Sequence, residues 1–134
     1  MSSALPAMQL GSALAVAVGA ALGALVRWGL SMRLNTVWHG FPLGTLLVNA
    51  IGGLLIGAAM VAFMRWPNDT ARLFAVTGFL GGMTTFSAFS AESLGLLQRG
   101  DYGLALAHSL AHVLGALACA ALGFALVRTW WPPA

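Results

Sequence analysis

Chemistry in this chain has to come from a few polar residues set in long apolar runs: Asn49, then Thr84, Thr85, Ser87, Ser90, Glu92 and Ser93, then His108 and His112. Asn49 can donate two hydrogen bonds and accept others. At helical spacing it shares a face with Thr45, Gly52 and Gly53, a narrow polar and small stripe on an otherwise apolar helix. Such an amide serves either as glue between helices or as a donor to a ligand. Phe86 and Phe89 stand at i and i+3, with Ser90 and Ser93 at i+4 and i+7 from Phe86. Aromatic pairs of this kind usually just pack. Phenyl edges are electropositive, however, so rings set edge-on favour an anion without a fixed charge. With the amide and hydroxyls they would replace part of an anion's water shell and still release it, which a buried arginine would not.

His108 and His112, four residues apart, share a helical face that Gly115 and Cys119 continue. Two imidazoles at that spacing can ligate a metal, with Cys119 as a thiolate. No carboxylate or further histidine is expected nearby, and lining a wet groove or bonding across helices needs fewer coincidences. Their protonation would follow pH. Glu92 is the only acid near the body of an apolar run, placed in an aqueous vestibule or against an arginine. Gly81-Gly82 followed by Thr84-Thr85 makes a poor helix centre, so a break is expected between Gly81 and Thr85. Carbonyls freed at such a break bind a cation when protein surrounds them, and two opposite copies would pool theirs around one ion; the bland outcome is a hinge or close helix crossing. No nucleophile, base and orienting group combine, and no phosphate-binding glycine loop or carboxylate pair occurs, so an enzyme is not expected.

The elements that must hold these residues lie in lipid. Of 134 residues 60% are hydrophobic and 7% charged, and the mean hydropathy is +0.90; a soluble domain needs about 25% charged residues. A single domain over 1–134 is expected, with little chain left outside the bilayer. The six cations are isolated arginines without lysine, so the net charge of +3 forms no patch for nucleic acid. The one cysteine makes no internal disulfide. No basic residue precedes the first apolar run, which is therefore read as retained and not as a cleaved signal.

Runs of about 20 apolar residues cross a bilayer as helix. Four qualify, at about 10–30, 43–64, 73–97 and 102–127, joined by short polar connectors that include Asn35, His39 and Pro67, with Pro132 and Pro133 closing the chain. All five tryptophans fall at run ends, where indoles prefer the headgroup level. With four spans, Arg65, Arg72 and Arg128 share one side, and Arg27 (at a span end), Arg33 and Arg99 the other. Three against three gives the insertion machinery no bias to read. Insertion both ways up is expected, with opposite copies pairing about an axis in the membrane plane; the bland alternative is a weak bias resolved by details such as Asp69 and Asp101. Small-xxx-small pairs at Gly19/Gly23, Gly53/Gly57 and Gly78/Gly82 point to close helix packing, within a subunit or at an oligomer interface.

Gly44-Thr45-Leu46-Leu47-Val48-Asn49 and Gly81-Gly82-Met83-Thr84-Thr85-Phe86-Ser87-Ala88-Phe89-Ser90-Ala91-Glu92 closely resemble the motifs of the Fluc (CrcB) family of small bacterial fluoride channels, and the likeness extends over essentially the whole chain. The resemblance implies an all-α membrane protein of four helices per subunit, the third broken near its centre, forming an antiparallel dual-topology homodimer with two pores in the bacterial inner membrane. It implies passive fluoride export that protects the cell. Asn49 would coordinate fluoride, and Phe86 and Phe89 would line the pore with ring edges. A structural sodium ion would sit at the dimer centre on the backbone carbonyls of Gly81 and Thr84 from both subunits. Thr85, Ser87, Ser90 and Glu92 belong to the same stretch. Many members carry a Tyr and a Ser one turn apart in the fourth span; here His108 and His112 would stand in for them, or Ser109 would serve alone. The implied partners are fluoride, a second copy and membrane lipid, without nucleic acid. The alternative, a small four-span multidrug-type exporter, needs an acid in its first span, which this chain lacks. A passive packing subunit would leave Asn49, the Phe86/Phe89 ladder and the break unexplained.

Overall fold

The computed structural model describes residues 4–38 and 40–131; His39 of the first connector and the closing Pro132 and Pro133 lie outside the described residues. The elements in order are α1 (Ala4–Leu34), α2 (Leu43–Arg65), α3 (Asp69–Arg72), a π-helical stretch (Leu73–Leu80), α4 (Gly81–Met83), α5 (Phe86–Gln98) and α6 (Tyr102–Trp130), with no strand among the described residues. Four stretches are long and apolar enough to cross a membrane: Gln9–Leu34, Leu43–Arg65, Asp69–Gln98 and Tyr102–Trp130. Each contains the run expected from sequence. At the first, α1 continues past Leu30 to Leu34, with Arg33 in its last turn at the negative end of the helix dipole. Arg27 is therefore not at a span end but well inside α1.

Lipid supplies no hydrophobic drive between helices, so they must be held by close contact and hydrogen bonds. The glycines provide the contact. A Cβ on Gly53 would collide with the Ala116 carbonyl, one on Gly57 with that of Ala120, and one on Gly123 with that of Leu54, so α2 and α6 touch backbone to backbone. In the same way Gly19 and Gly23 meet the Phe74 and Phe79 carbonyls, while Gly78 and Gly82 meet those of Val16 and Ala20. All three small-xxx-small pairs are thus spent inside the subunit. With a neighbouring backbone already seated on each glycine, none is left to form an oligomer interface. The buried core is small, Val48, Leu80 and Met83 backed by Leu30, Ile51, Ile56 and Phe79, and residues such as Leu14, Leu106, Leu117 and Leu122 point outward.

The π-helical stretch widens the turn, so that the Gly81 N–H bonds the Val76 carbonyl five residues back. Two extended residues follow α4, Thr84 (φ −80°, ψ 156°) and Thr85 (φ −151°, ψ 119°). Their side chains explain the step. Thr84 Oγ1 donates to the Leu80 carbonyl at 2.8 Å, closing one helix, and Thr85 Oγ1 accepts the Ala88 N–H at 3.1 Å, capping the next. At the far end of α5 the chain reverses at Gly100, whose φ of +80° suits only a residue without a Cβ.

Candidate functional site

Extended backbone at Thr85 turns its N–H and C=O outward from α5, and α2 supplies their partner. Asn49 Oδ1 accepts the Thr85 N–H at 2.8 Å, and Asn49 Nδ2 donates to the Thr85 carbonyl at 3.0 Å. The amide acts as a one-residue strand, and since Thr85 N–H must meet an oxygen, its orientation is fixed. The second Nδ2 hydrogen goes to His112 Nδ1 on α6 at 3.1 Å. Both Asn49 donors are therefore engaged, one on backbone and one on an imidazole.

The aromatic ladder stands beside this node. Phe89 packs against His112 at 4.8 Å and His108 at 5.4 Å between ring centroids, while Phe86 lies 5.2 Å from Phe89 and is 76% exposed on the subunit. A groove of about 540 Å³ runs along Asn49, Gly52, Gly81, Thr84, Thr85, Phe86, Phe89 and His112, and none of its lining residues is Asp, Glu, Lys or Arg. The hydroxyls are less united. Ser87 Oγ is 3.2 Å from Thr85 Oγ1, but Ser90 Oγ donates back to the Phe86 carbonyl at 2.8 Å and neither serine lines the groove.

Glu92, His108 and His112 converge, which corrects the expectation that the histidines have no carboxylate nearby: α5 and α6 pack so that ligand-type atoms of all three residues lie within 4.8 Å of one another. Glu92 is held by no arginine; its Oε1 accepts from Thr45 Oγ1 at 2.5 Å and its Oε2 lies 3.4 Å from His108 Nε2. It lines a second cavity of about 390 Å³ with Asn35, Phe41 and Arg99. Cys119 does not join this group.

Gly81 and Thr84, expected to hold a cation, both line the 540 Å³ groove. A Cβ on Gly81 would meet only the Val76 carbonyl, at 3.7 Å, so space is open beside it. Main-chain oxygens suit a hard cation such as Na+, and two carbonyls from one subunit would be too few to hold one.

Two anchoring residues escaped the sequence reading. Arg27 Nε donates to the Gly82 carbonyl at 3.1 Å, tying α1 to α4 beside Gly81. Asn35 Oδ1 accepts from the Gly44 and Thr45 N–H groups at 2.7 and 3.3 Å, capping α2 from the connector. Only their polarity near an apolar run could have flagged them.

A family model described as CrcB-like protein, Camphor Resistance (CrcB), matches residues 14–124. A protein of Bordetella petrii named fluoride-specific ion channel FluC is 54% identical over 115 residues, covering 84% of this chain and 88% of its own. Proteins of the same name from Marinobacter nauticus and Aromatoleum aromaticum are 50% identical over 115 residues (84% and 91% covered) and 47% identical over 119 (87% and 91%).

Proposed function

The chain belongs to the CrcB family, and from that premise we propose that it is a fluoride-selective channel, a multi-pass protein of the bacterial plasma membrane that exports fluoride by passive electrodiffusion and performs no enzyme chemistry. The observation that carries this reading is the groove itself: Asn49, Thr84, Thr85 and the Phe86 and Phe89 rings line it without a fixed charge. Neutral donors replace part of the hydration of a small anion yet do not trap it.

In this reading fluoride passes Phe86 and Phe89 and takes the Asn49 hydrogen now given to His112. Thr85, whose backbone fixes Asn49, is a positioning residue. Ser87 and Ser90 extend the hydroxyl content near the ladder once their internal bonds are exchanged. His108, His112 and Glu92 form the polar continuation toward the 390 Å³ vestibule, whose lining carries one acid, Glu92, and one base, Arg99.

The exposed Phe86 and the open side of Gly81 favour a second copy covering the groove, antiparallel because, with Arg27 inside α1, the remaining arginines, Arg33 and Arg99 against Arg65, Arg72 and Arg128, leave a bias of only one charge. Pooled carbonyls of Gly81 and Thr84 from both subunits would hold a structural Na+, which neutralises their dipoles and fixes the interface. The multidrug-type alternative is not favoured, because α1 carries no acid.

Purified protein in liposomes should release fluoride, read with a fluoride electrode, and retain chloride. Equal release of both halides would refute the selectivity. For topology, a cysteine introduced at Ser2 in a Cys119→Ser background should label from both faces of the membrane; labelling from one face alone would refute dual insertion.

A further inference from the structure

Among the described residues four buried side-chain polar atoms lack a hydrogen-bond partner: Arg65 Nη1 at the end of α2, and Glu92 Oε2, His108 Nε2 and His112 Nε2 together between α5 and α6, the first two of these 3.4 Å apart. Unpaired buried polar atoms are costly and rare, and here three occur in residues whose ligand-type atoms lie within 4.8 Å of one another. The opposite heteroatom of each is held: Glu92 Oε1 by Thr45 Oγ1, His108 Nδ1 by Ser93 Oγ at 3.0 Å and His112 Nδ1 by Asn49 at 3.1 Å. Outer partners orient ligating residues in this way at Glu92 and at His108, whose Nδ1–H Ser93 Oγ can accept, whereas His112 Nδ1 accepts from Asn49 in the opposite sense.

We infer that Glu92, His108 and His112 form a binding site for a divalent transition-metal ion of the zinc class. Two imidazoles and a carboxylate are an established zinc donor set with a fourth position left open. Ligand atoms around a tetrahedral ion with bonds of about 2.0–2.1 Å lie roughly 3.4 Å apart, and Glu92 Oε2 and His108 Nε2 already stand 3.4 Å apart. His112 has to close in, and its ring must surrender the Asn49 bond, because Nε2 ligates only when Nδ1 carries the proton. His108 needs no such change, since Ser93 Oγ can accept from its Nδ1–H. The cavity of about 390 Å³ that Glu92 lines gives the ion its way in. Cys119 takes no part, and the site is separate from the carbonyl-bound sodium. Nor does it depend on fluoride permeation, because binding is measured without any anion flux.

The test uses the full-length protein in detergent with Zn2+ alone, titrated against a chromophoric competitor. We expect one zinc per chain with a micromolar or tighter dissociation constant, and X-ray absorption of the wild-type complex showing two imidazoles and oxygen donors without sulfur. His108→Gln, His112→Gln and Glu92→Gln should each weaken binding by about tenfold or more, with the gel-filtration profile checked for each. His39→Gln and Cys119→Ser should leave it unchanged. Failure of the wild type to bind, a sulfur donor in the spectrum, or binding lost with His39→Gln but kept in the three variants would overturn the site. The wild-type spectrum decides even where a variant fails to fold.

Discussion

Asn49 is the residue on which most converges, because one amide satisfies both backbone groups of Thr85 and a nitrogen of His112. Asn49→Asp replaces two donors with an acceptor that faces the Thr85 carbonyl, so a carboxylate oxygen meets a carbonyl oxygen where a hydrogen bond stood. Fluoride efflux from liposomes should fall by roughly an order of magnitude or more, the effect of losing about 1.4 kcal/mol or more of ion stabilisation. Phe86→Ile separates function from folding, because a side chain 76% exposed on the subunit contributes little to its core. Its efflux should drop while the gel-filtration profile stays that of the wild type. Normal efflux in both variants would place the path elsewhere. At this scale the sequence was legible for Asn49, Phe86 and Phe89, whose polarity or spacing is unusual inside an apolar run. Glu92 beside His108 was not, since the two sit on different helices and nothing along the chain states how α5 and α6 are rotated against each other.

Between elements, glycine position decides what a methyl group does. A Cβ on Gly57 would strike the Ala120 carbonyl of α6, whereas one on Gly11 meets nothing within 4 Å. Gly57→Ala must therefore push α2 and α6 apart, costing on the order of 1–3 kcal/mol, while Gly11→Ala should gain up to about 1 kcal/mol from helix propensity. Thermal scans in detergent should show opposite shifts, and a stabilised Gly57→Ala would refute the backbone contact. At the step between α4 and α5, Thr85→Ala removes a cap worth about 1 kcal/mol, and Thr85→Ser should restore it because only the oxygen is used. The spans themselves could be read from length and apolarity, which bilayer thickness dictates. Their ends could not: α1 runs on to Leu34, past the expected end near Leu30, and Arg27, within the expected run, reaches the Gly82 carbonyl. The glycine pairs announced close packing but not which helix they would meet, since small residues look alike whether the neighbour is in the same chain or another.

For the whole molecule, the question is whether the subunit is complete alone, and Gly81 offers a clean probe. Inside one subunit its added Cβ has only ordinary contact, at 3.7 Å from the Val76 carbonyl, and exchanging glycine for alanine in a helix gains up to about 1 kcal/mol. A solitary subunit should thus tolerate Gly81→Ala or be firmer for it. In a dimer whose Gly81 and Thr84 carbonyls surround one sodium ion, the same methyl group enters the space where the two copies meet. It holds the carbonyl rings apart. The expected outcome is a shift of the gel-filtration profile toward monomer, together with loss of the difference between sodium-containing and sodium-free buffer that the wild type should show. The arginine balance makes the partner's orientation testable in the same sample: adding Lys residues to one side of the chain should lock insertion one way and abolish flux, and mixing with a chain locked the other way should restore it. Full activity from a singly locked chain, or an unchanged dimer in Gly81→Ala, would mean that the groove is closed by something other than an inverted copy of this chain.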